Sequence, residues 1–356
     1  MALINSYAIW NNKGGVGKST ITFHLATRYA ELNPGRNVLV IDLCPQANSS
    51  MMLLGGGTQG EQRVFDYCSL ATPQTVVGYL SSVISAGSGA ALPDPNRFLV
   101  QVSEVNDGVT DNLFLLCGDG NLEPMAPAIS EAASARPLTP SSRPWVWIHN
   151  IFRNFINNTI SINNTKDWLV IVDTNPSFGI YTELAISSVN RLITPVNADD
   201  SSRTAASAIA ILLHGTNPPH AIYGSWTFAA QATTNSLAIP KIHLIVGNRL
   251  TQYGGASTAF RALSDATADT LYNLYQTNPA YFSARQSAPT SLTGFQTGYS
   301  VALRDFNTAG VVSAHRGQRL SLMTQGYYDV HGTSVKVNAS AVGQCLEAID
   351  DVINMI

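Results

Sequence analysis

The chain has 356 residues, 45% of them apolar and only 12% charged, with a formal net charge of −3 from 20 basic and 23 acidic side chains. That length suits one large α/β domain or two smaller ones, and the apolar share can build a sizeable core. The charge balance excludes a strongly basic nucleic-acid binder as a whole-chain description, though not a local basic face; four cysteines with no C-x-x-C pair exclude a disulfide framework.

In chain order, Ser6 to Trp10 reads as a short buried strand that enters Asn11-Asn12-Lys13-Gly14-Gly15-Val16-Gly17-Lys18-Ser19-Thr20. Ile21, Leu25, Tyr29 and Leu32 then share one helical face, and Asn33-Pro34-Gly35 stops that helix. Asn37 to Ile41 is a second buried strand that delivers Asp42 at its carboxyl end. The result is a βαβ unit, which predicts a parallel sheet with a ligand at the strand carboxyl ends. Further strands are expected at Leu113–Cys117, Trp168–Val172, Leu192–Val196 and Ile242–Val246. Helices are expected around Thr182–Asn190, Arg203–Leu213, Ser257–Tyr275 and Ala339–Ile356. The alternation predicts one α/β domain over 1–356, a mostly parallel twisted sheet flanked by helices. Pro-, Ser- and Ala-rich stretches near 85–97 and 124–144 read as surface loops or insertions.

A strand, a glycine loop and a helix that opens on Lys-Ser make a phosphate cradle. Small residues let successive backbone N–H groups converge on a phosphate, and the helix N-terminus adds its positive end. Lys18 would reach the β- and γ-phosphates and the Ser19 hydroxyl would ligate Mg²⁺. Asn12 stands where the strict G-x-x-x-x-G-K-[ST] pattern has its first glycine, and a second lysine, Lys13, opens the loop. Asp173, directly after the apolar strand WLVIV, suits the outer shell of a phosphate-bound Mg²⁺.

Lys13-Gly-Gly-Val-Gly-Lys18-Ser19-Thr20 resembles the deviant Walker A box of the ParA/MinD/Soj ATPases. The resemblance continues through Asp42-Leu-Cys-Pro45-Gln46-Ala-Asn48, Asn112 to Gly118, Asp173-Thr-Asn-Pro176-Ser177 and Pro195-Val-Asn197-Ala-Asp199. It implies a P-loop NTPase fold, with ATP and Mg²⁺ as cofactors and a homodimer formed on ATP. In that dimer Lys13 reaches the partner's phosphates, so Lys13, Lys18 and Asp42 carry the chemistry. Residues 13–20 hold the phosphates, and Ser19, Asp42 and Asp173 serve the metal. Asn248 and Arg249, after IHLIVG, match the position where related enzymes hold adenine with an Asn side chain, and Arg304 to Gln318 resembles the loop that closes over the base.

The likeness to Soj also implies non-specific DNA binding on the ATP dimer, nucleoid association within the cytoplasm, and stimulation by a ParB-like or adaptor protein. Six Arg (249, 261, 285, 304, 316, 319) against three Asp between residues 248 and 320 supply the local charge. Arg203, Arg249, Arg261 and Arg285 are the candidate DNA contacts. One departure matters: Cys44 occupies the position of the family's second acid, which helps place the attacking water, and a thiol is a weak substitute. Hydrolysis is therefore expected to be slow, and the alternative is an ATP-gated scaffold that recruits a protein partner without useful turnover.

Other readings fit less well. A membrane-surface ATPase needs a basic amphipathic tail, and this tail carries Glu347, Asp350 and Asp351 with no basic residue after Lys336. The N-terminus MALINSYAIW does not read as a signal peptide, and no apolar run approaches a membrane span. An iron–sulfur carrier would need cysteines suitably placed, whereas Cys68 and Cys117 read as core residues. A bacterial tyrosine kinase would need a C-terminal tyrosine cluster, and Tyr327-Tyr328 reads as a packing pair. His24 is expected on a helix face rather than as a ligand.

Overall fold

A computed structural model describes residues 2–137, 142–197, 199–216, 224, 227–247, 258–303 and 306–356, without the side chains of 200–202, 258–265 and 307. Six long strands lie where apolar runs predict them: β1 (Leu3–Ile9), β2 (Arg36–Leu43), β4 (Leu113–Leu116), β5 (Asp167–Thr174), β6 (Arg191–Val196) and β7 (Lys241–Gly247). Two short strands, β3 (Val100–Gln101) and β8 (Ser300–Ala302), close the edges, giving the order β3-β4-β2-β5-β1-β6-β7-β8. Every pairing in this sheet is parallel except β3 on β4.

Side chains alternate between the two faces of the sheet. Tyr7, Ile9, Val38, Val40, Leu169 and Ile171 enter one core. Ala8, Trp10, Leu39, Ile41, Val170 and Val172 enter the other. Both faces are covered, which is why the strands read as continuous apolar runs rather than as an alternating pattern. A separate antiparallel hairpin joins β9 (Gly326–Val330) to β10 (Thr333–Val337). Its turn residues, His331 (φ +49°) and Gly332 (φ +79°), are both left-handed, as a tight two-residue hairpin demands.

The first helix, α1 (Lys18–Leu32), is enclosed on most sides instead of burying one stripe: Ile21, Thr22, Phe23, His24 and Leu25 are all buried, whereas Leu32 at its end is 46% exposed. The carboxyl-terminal helix Ala339–Ile353 covers it, turning Val342, Cys345, Ile349 and Val352 into the interior. His24 is neutral, its pKa pushed down to about 3 by burial, and it stacks on Phe306 at 4.3 Å between ring centroids.

Three expectations need correction. The stretch read as a loop at 124–144 is largely helix, Leu122–Ser134, followed by another from Pro144 to His149. Pro127 forfeits one hydrogen bond inside the first helix, but burial of Leu122, Ile129 and Ala133 outweighs that local cost. Tyr327 is 72% exposed and does not pack. Cys117 is buried as expected, but Cys68 is only partly so. Among the described residues no helix is long and apolar enough to cross a membrane.

Between β2 and β4 lie α2 (Asn48–Leu53), α3 (Gly57–Cys68) and α4 (Val76–Ala86). A Cβ at Gly60 would sit 2.1 Å from the Met51 carbonyl oxygen, so α3 rests directly on the backbone of α2. Gly60→Ala is therefore expected to lower the melting temperature by roughly 2–6 °C, read by circular dichroism, because overpacking of this kind costs about 1–3 kcal/mol. An unchanged melting temperature would mean that the α2–α3 contact relaxes freely.

Candidate functional site

The loop Asn11–Gly17 leaves the carboxyl end of β1 and turns into α1. Asn11 anchors its base: the buried Nδ2 donates to the Pro195 carbonyl at 2.6 Å, tying the loop to β6. Gly15 (φ +71°) and Gly17 (φ +82°) take left-handed conformations that other residues adopt only with strain, whereas Asn12 has no positive φ. The missing first glycine of the strict motif is thus not required at position 12.

Gly17 caps α1 without a side-chain hydrogen bond of its own to the first-turn N–H groups. Lys18 is only 7% exposed and its Nζ donates to the carbonyls of Lys13 (3.0 Å) and Asn11 (3.4 Å). Burial lowers its pKa, and the nearby charge of Asp173 opposes that fall. Lys13 points elsewhere, pairing with Asp199 after β6, and both side chains remain partly open to water.

The pairing of β2 with β5 sets Asp42 directly beside Asp173, and both are fully buried. Asp42 is well held: Oδ1 accepts from the Cys44 amide at 3.1 Å, and Oδ2 from the Ser50 amide (2.9 Å) and hydroxyl (2.7 Å). Asp173 Oδ1 accepts from the Thr174 amide at 3.0 Å, while the buried Oδ2 has no hydrogen bond of normal geometry. Burial, then the charge of Asp42, push the Asp173 pKa up to about 7, with the Ser19 and Ser49 hydroxyls and Lys18 opposing. Asp42 is also raised by burial, against its Ser50 bonds. Two adjoining buried carboxylates, one with an unsatisfied oxygen beside Ser19, suit a divalent cation that would relieve their repulsion. No cluster of three or more His, Cys, Asp or Glu forms a metal cage among the described residues; a cation here would depend on Ser19 and on phosphate oxygens.

Above this floor opens a cleft of about 610 Å³, lined by Gly14 to Thr20 except Val16 and by Cys44, Gln46, Asn48, Glu61, Thr174 and His315, among others. That volume suits a nucleotide. Cys44 lies at its edge with its thiol pKa pushed up to about 12 by burial and by the two carboxylates, so it is a neutral thiol at physiological pH.

The other candidates scatter. Arg203 is exposed on the helix Asp200–His214, and Arg261 falls on the helix Thr258–Thr277. Asn248, Arg249 and Arg304 lie outside the described residues. Arg285 is turned inward: its Nε donates to the Gly298 carbonyl at 2.8 Å and its guanidinium sits 4.6 Å from the Tyr299 ring centroid. Arg319 pairs with Glu31 and Arg316 lies over Tyr328. Sequence reading overlooked Glu61, whose only signal was the run Gly55-Gly56-Gly57 before it. Asp199 stands in the Pro195–Asp199 segment with no local sequence signal for its pairing with Lys13.

A glycine loop between a central strand and the helix that follows, at the carboxyl edge of a parallel sheet, makes this a P-loop NTPase fold. The AAA_31 family model, described as an AAA domain, matches residues 4–215, more than half of the chain, and the chain belongs to that family. Its matches to known proteins support a ParA/MinD/Soj-like ATPase. The chain is 41% identical over 64 residues to the chromosome-partitioning ATPase Soj of Thermus thermophilus, which is 18% of this chain and 24% of Soj. The chain thus spans about a quarter of the length of the curated relative it matches. The fold is shared with the ATP complex of a single-substitution variant of Cyanothece McdA (TM-score 0.59, 12% identity, 100% of this chain and 98% of that one). It is also shared with a putative plasmid partition protein of Borrelia burgdorferi bound to AMPPNP (TM-score 0.51, 14% identity, 98% of each).

Proposed function

We propose that the chain is an ATP-dependent, dimerising ATPase that associates with DNA and positions or partitions cargo such as a plasmid or chromosome. The observation that carries this reading is the division of labour between the two loop lysines. Lys18 is buried over its own loop carbonyls, ready to exchange them for phosphate oxygens. Lys13 stands at the loop entrance, paired with Asp199 and able to turn outward.

ATP would bind with its phosphates on the amides of residues 14–20 and on Lys18, and Ser19, Asp42 and Asp173 would hold Mg²⁺. The cation supplies charge neutralisation for the phosphate oxygens. The chain's own residues do the rest: the loop amides fix the phosphates, Lys18 compensates their charge, and Lys13 leaves Asp199 for the partner's nucleotide. Asn248 and Arg249 are the proposed base contacts. The relatives named above support the reading: Soj is a chromosome-partitioning ATPase, and the McdA variant and the Borrelia protein hold ATP or its analogue. By the same analogy the protein is cytoplasmic and nucleoid-associated, and a ParB-like or adaptor protein stimulates its turnover. No membrane association is proposed.

DNA contact rests on Arg203, Arg249 and Arg261 of both subunits. Arg285 contributes little because its donors serve the interior. Purified protein is expected to bind non-specific duplex DNA with ATP–Mg²⁺ and much more weakly with ADP or without nucleotide. If about four to six phosphates are neutralised per dimer, affinity should fall roughly 100-fold or more between 50 and 200 mM salt. No binding in any nucleotide state would favour the second reading, an ATP-gated scaffold acting on protein partners. The neutral Cys44 thiol at the cleft keeps that reading in play, and absence of phosphate release would support it.

A further inference from the structure

Hydrolysis needs a group that orients the attacking water and takes its proton, and the cleft is poor in such groups. Asp42 and Asp173 are fully buried and are the acids proposed for the cation, and both oxygens of Asp42 also accept from Cys44 and Ser50. Cys44 reaches the cleft but offers a weak hydrogen-bonding thiol. Gln46 reaches it too, with its amide oxygen held by Asn48 Nδ2 at 3.1 Å. Among the described residues that line the cleft, Glu61 is the single acid.

The backbone that carries Glu61 is closely fixed. At the preceding residue, Gly60, α3 touches the Met51 carbonyl of α2, the helix that follows the Asp42–Cys44 segment. At Gly56, just before α3, a Cβ would fall 2.2 Å from the His315 carbonyl oxygen, so the chain there lies against the helix Asn307–His315. Gly55, Gly56 and Gly57 all have positive φ (+115°, +67°, +48°), which lets the chain make this approach before turning into the helix. These two contacts fix the backbone that carries Glu61, an exposed side chain on the wall of the same cleft that Cys44 lines.

We propose that Glu61 is the catalytic carboxylate of this chain, orienting the attacking water and accepting its proton in place of an acid at position 44. The inference rests on the ATPase reading above. As the water oxygen bonds to the γ-phosphorus, the bond from that phosphorus to the β,γ-bridging oxygen breaks and ADP leaves with the electron pair. The water proton passes to the Glu61 carboxylate and from there to solvent.

The test measures phosphate release from ATP–Mg²⁺, as kcat and KM, and equilibrium binding of a fluorescent ATP analogue. The proteins compared are the parent, Glu61→Gln, Gln46→Ala and the double variant Glu61→Gln/Cys44→Asp. Glu61→Gln is expected to lower kcat by about 100-fold or more, with analogue affinity within about twofold. Cys44→Asp in that background is expected to restore much of the turnover by returning an acid to the cleft. Unchanged turnover in Glu61→Gln, or loss of turnover in Gln46→Ala alone, would overturn the assignment while leaving the ATPase reading intact. Equal loss of turnover and nucleotide affinity would also overturn it, by making Glu61 a structural residue. A parent that binds nucleotide but releases no phosphate would overturn the ATPase reading itself, and the role of Glu61 with it.

Discussion

Lys13→Gln is expected to leave nucleotide binding by the monomer within about threefold while weakening the ATP-dependent dimer by about 100-fold or more. The two effects separate because the two lysines face different partners. Lys18 is buried over the loop and in the proposed reading would hold the phosphates within one subunit, whereas Lys13 is engaged by Asp199. In the proposed dimer each Lys13 makes a charge-assisted contact with the partner's phosphates, worth about 1.5–3 kcal/mol, and two such contacts are lost together. Loss of the Lys13–Asp199 pair itself costs the monomer little, since both groups are partly solvated and water screens them. Light scattering with ATP reads the dimer and analogue titration reads the monomer. A dimer that survives Lys13→Gln unchanged would remove the role assigned to this lysine.

The second large effect is a reversal in sign. Without metal and nucleotide, Asp173→Asn is expected to stabilise the protein at about pH 8, raising its melting temperature by several degrees. The folded-state pKa of Asp173 is raised from the ordinary 3.8 to about 7. Between those values the folded chain holds a proton that the unfolded chain has released, so stability falls as pH rises through that window. Asparagine keeps the shape without the charge and flattens the slope. Asp42, raised in the same direction, leaves a residual slope of the same sign. With ATP–Mg²⁺ the order inverts: the parent gains a large stabilisation and the variant gains little, because the carboxylate that suits the cation is gone. Thermal melts from about pH 5.5 to about pH 8, with chelator and with ATP–Mg²⁺, test both halves. A variant that keeps the parent's pH slope would show that another group carries it.

Several parts of this architecture were legible because their causes are local. Strands buried on both faces read as apolar runs, and the phosphate loop reads as glycines at fixed offsets from a Lys-Ser. Asp42 and Asp173 were recognisable one by one as acids at strand ends. Their adjacency was not, because it depends on the parallel register of two strands more than a hundred residues apart in the chain. The pairing of Lys13 with Asp199 spans 186 residues and had no local signal. Arg285 counted as a surface cation in the sequence, yet its guanidinium serves the carbonyls of Gly298 and His243. The Pro-containing stretch at 124–144 had the composition of a loop, and the burial of Leu122 and Ile129 made most of it a helix.

By itself, then, the sequence determined the βαβ frame, the phosphate loop and the acids that face it, since each follows from neighbouring residues and their periodicity. Only the tertiary structure decided which charges meet. It placed Asp42 against Asp173, drew Lys13 to Asp199, turned Arg285 inward and set Glu61 on the wall of the cleft. The reason is physical: a backbone conformation is chosen over a few residues, whereas the burial and pairing of a charge depend on surfaces that only the folded chain brings together.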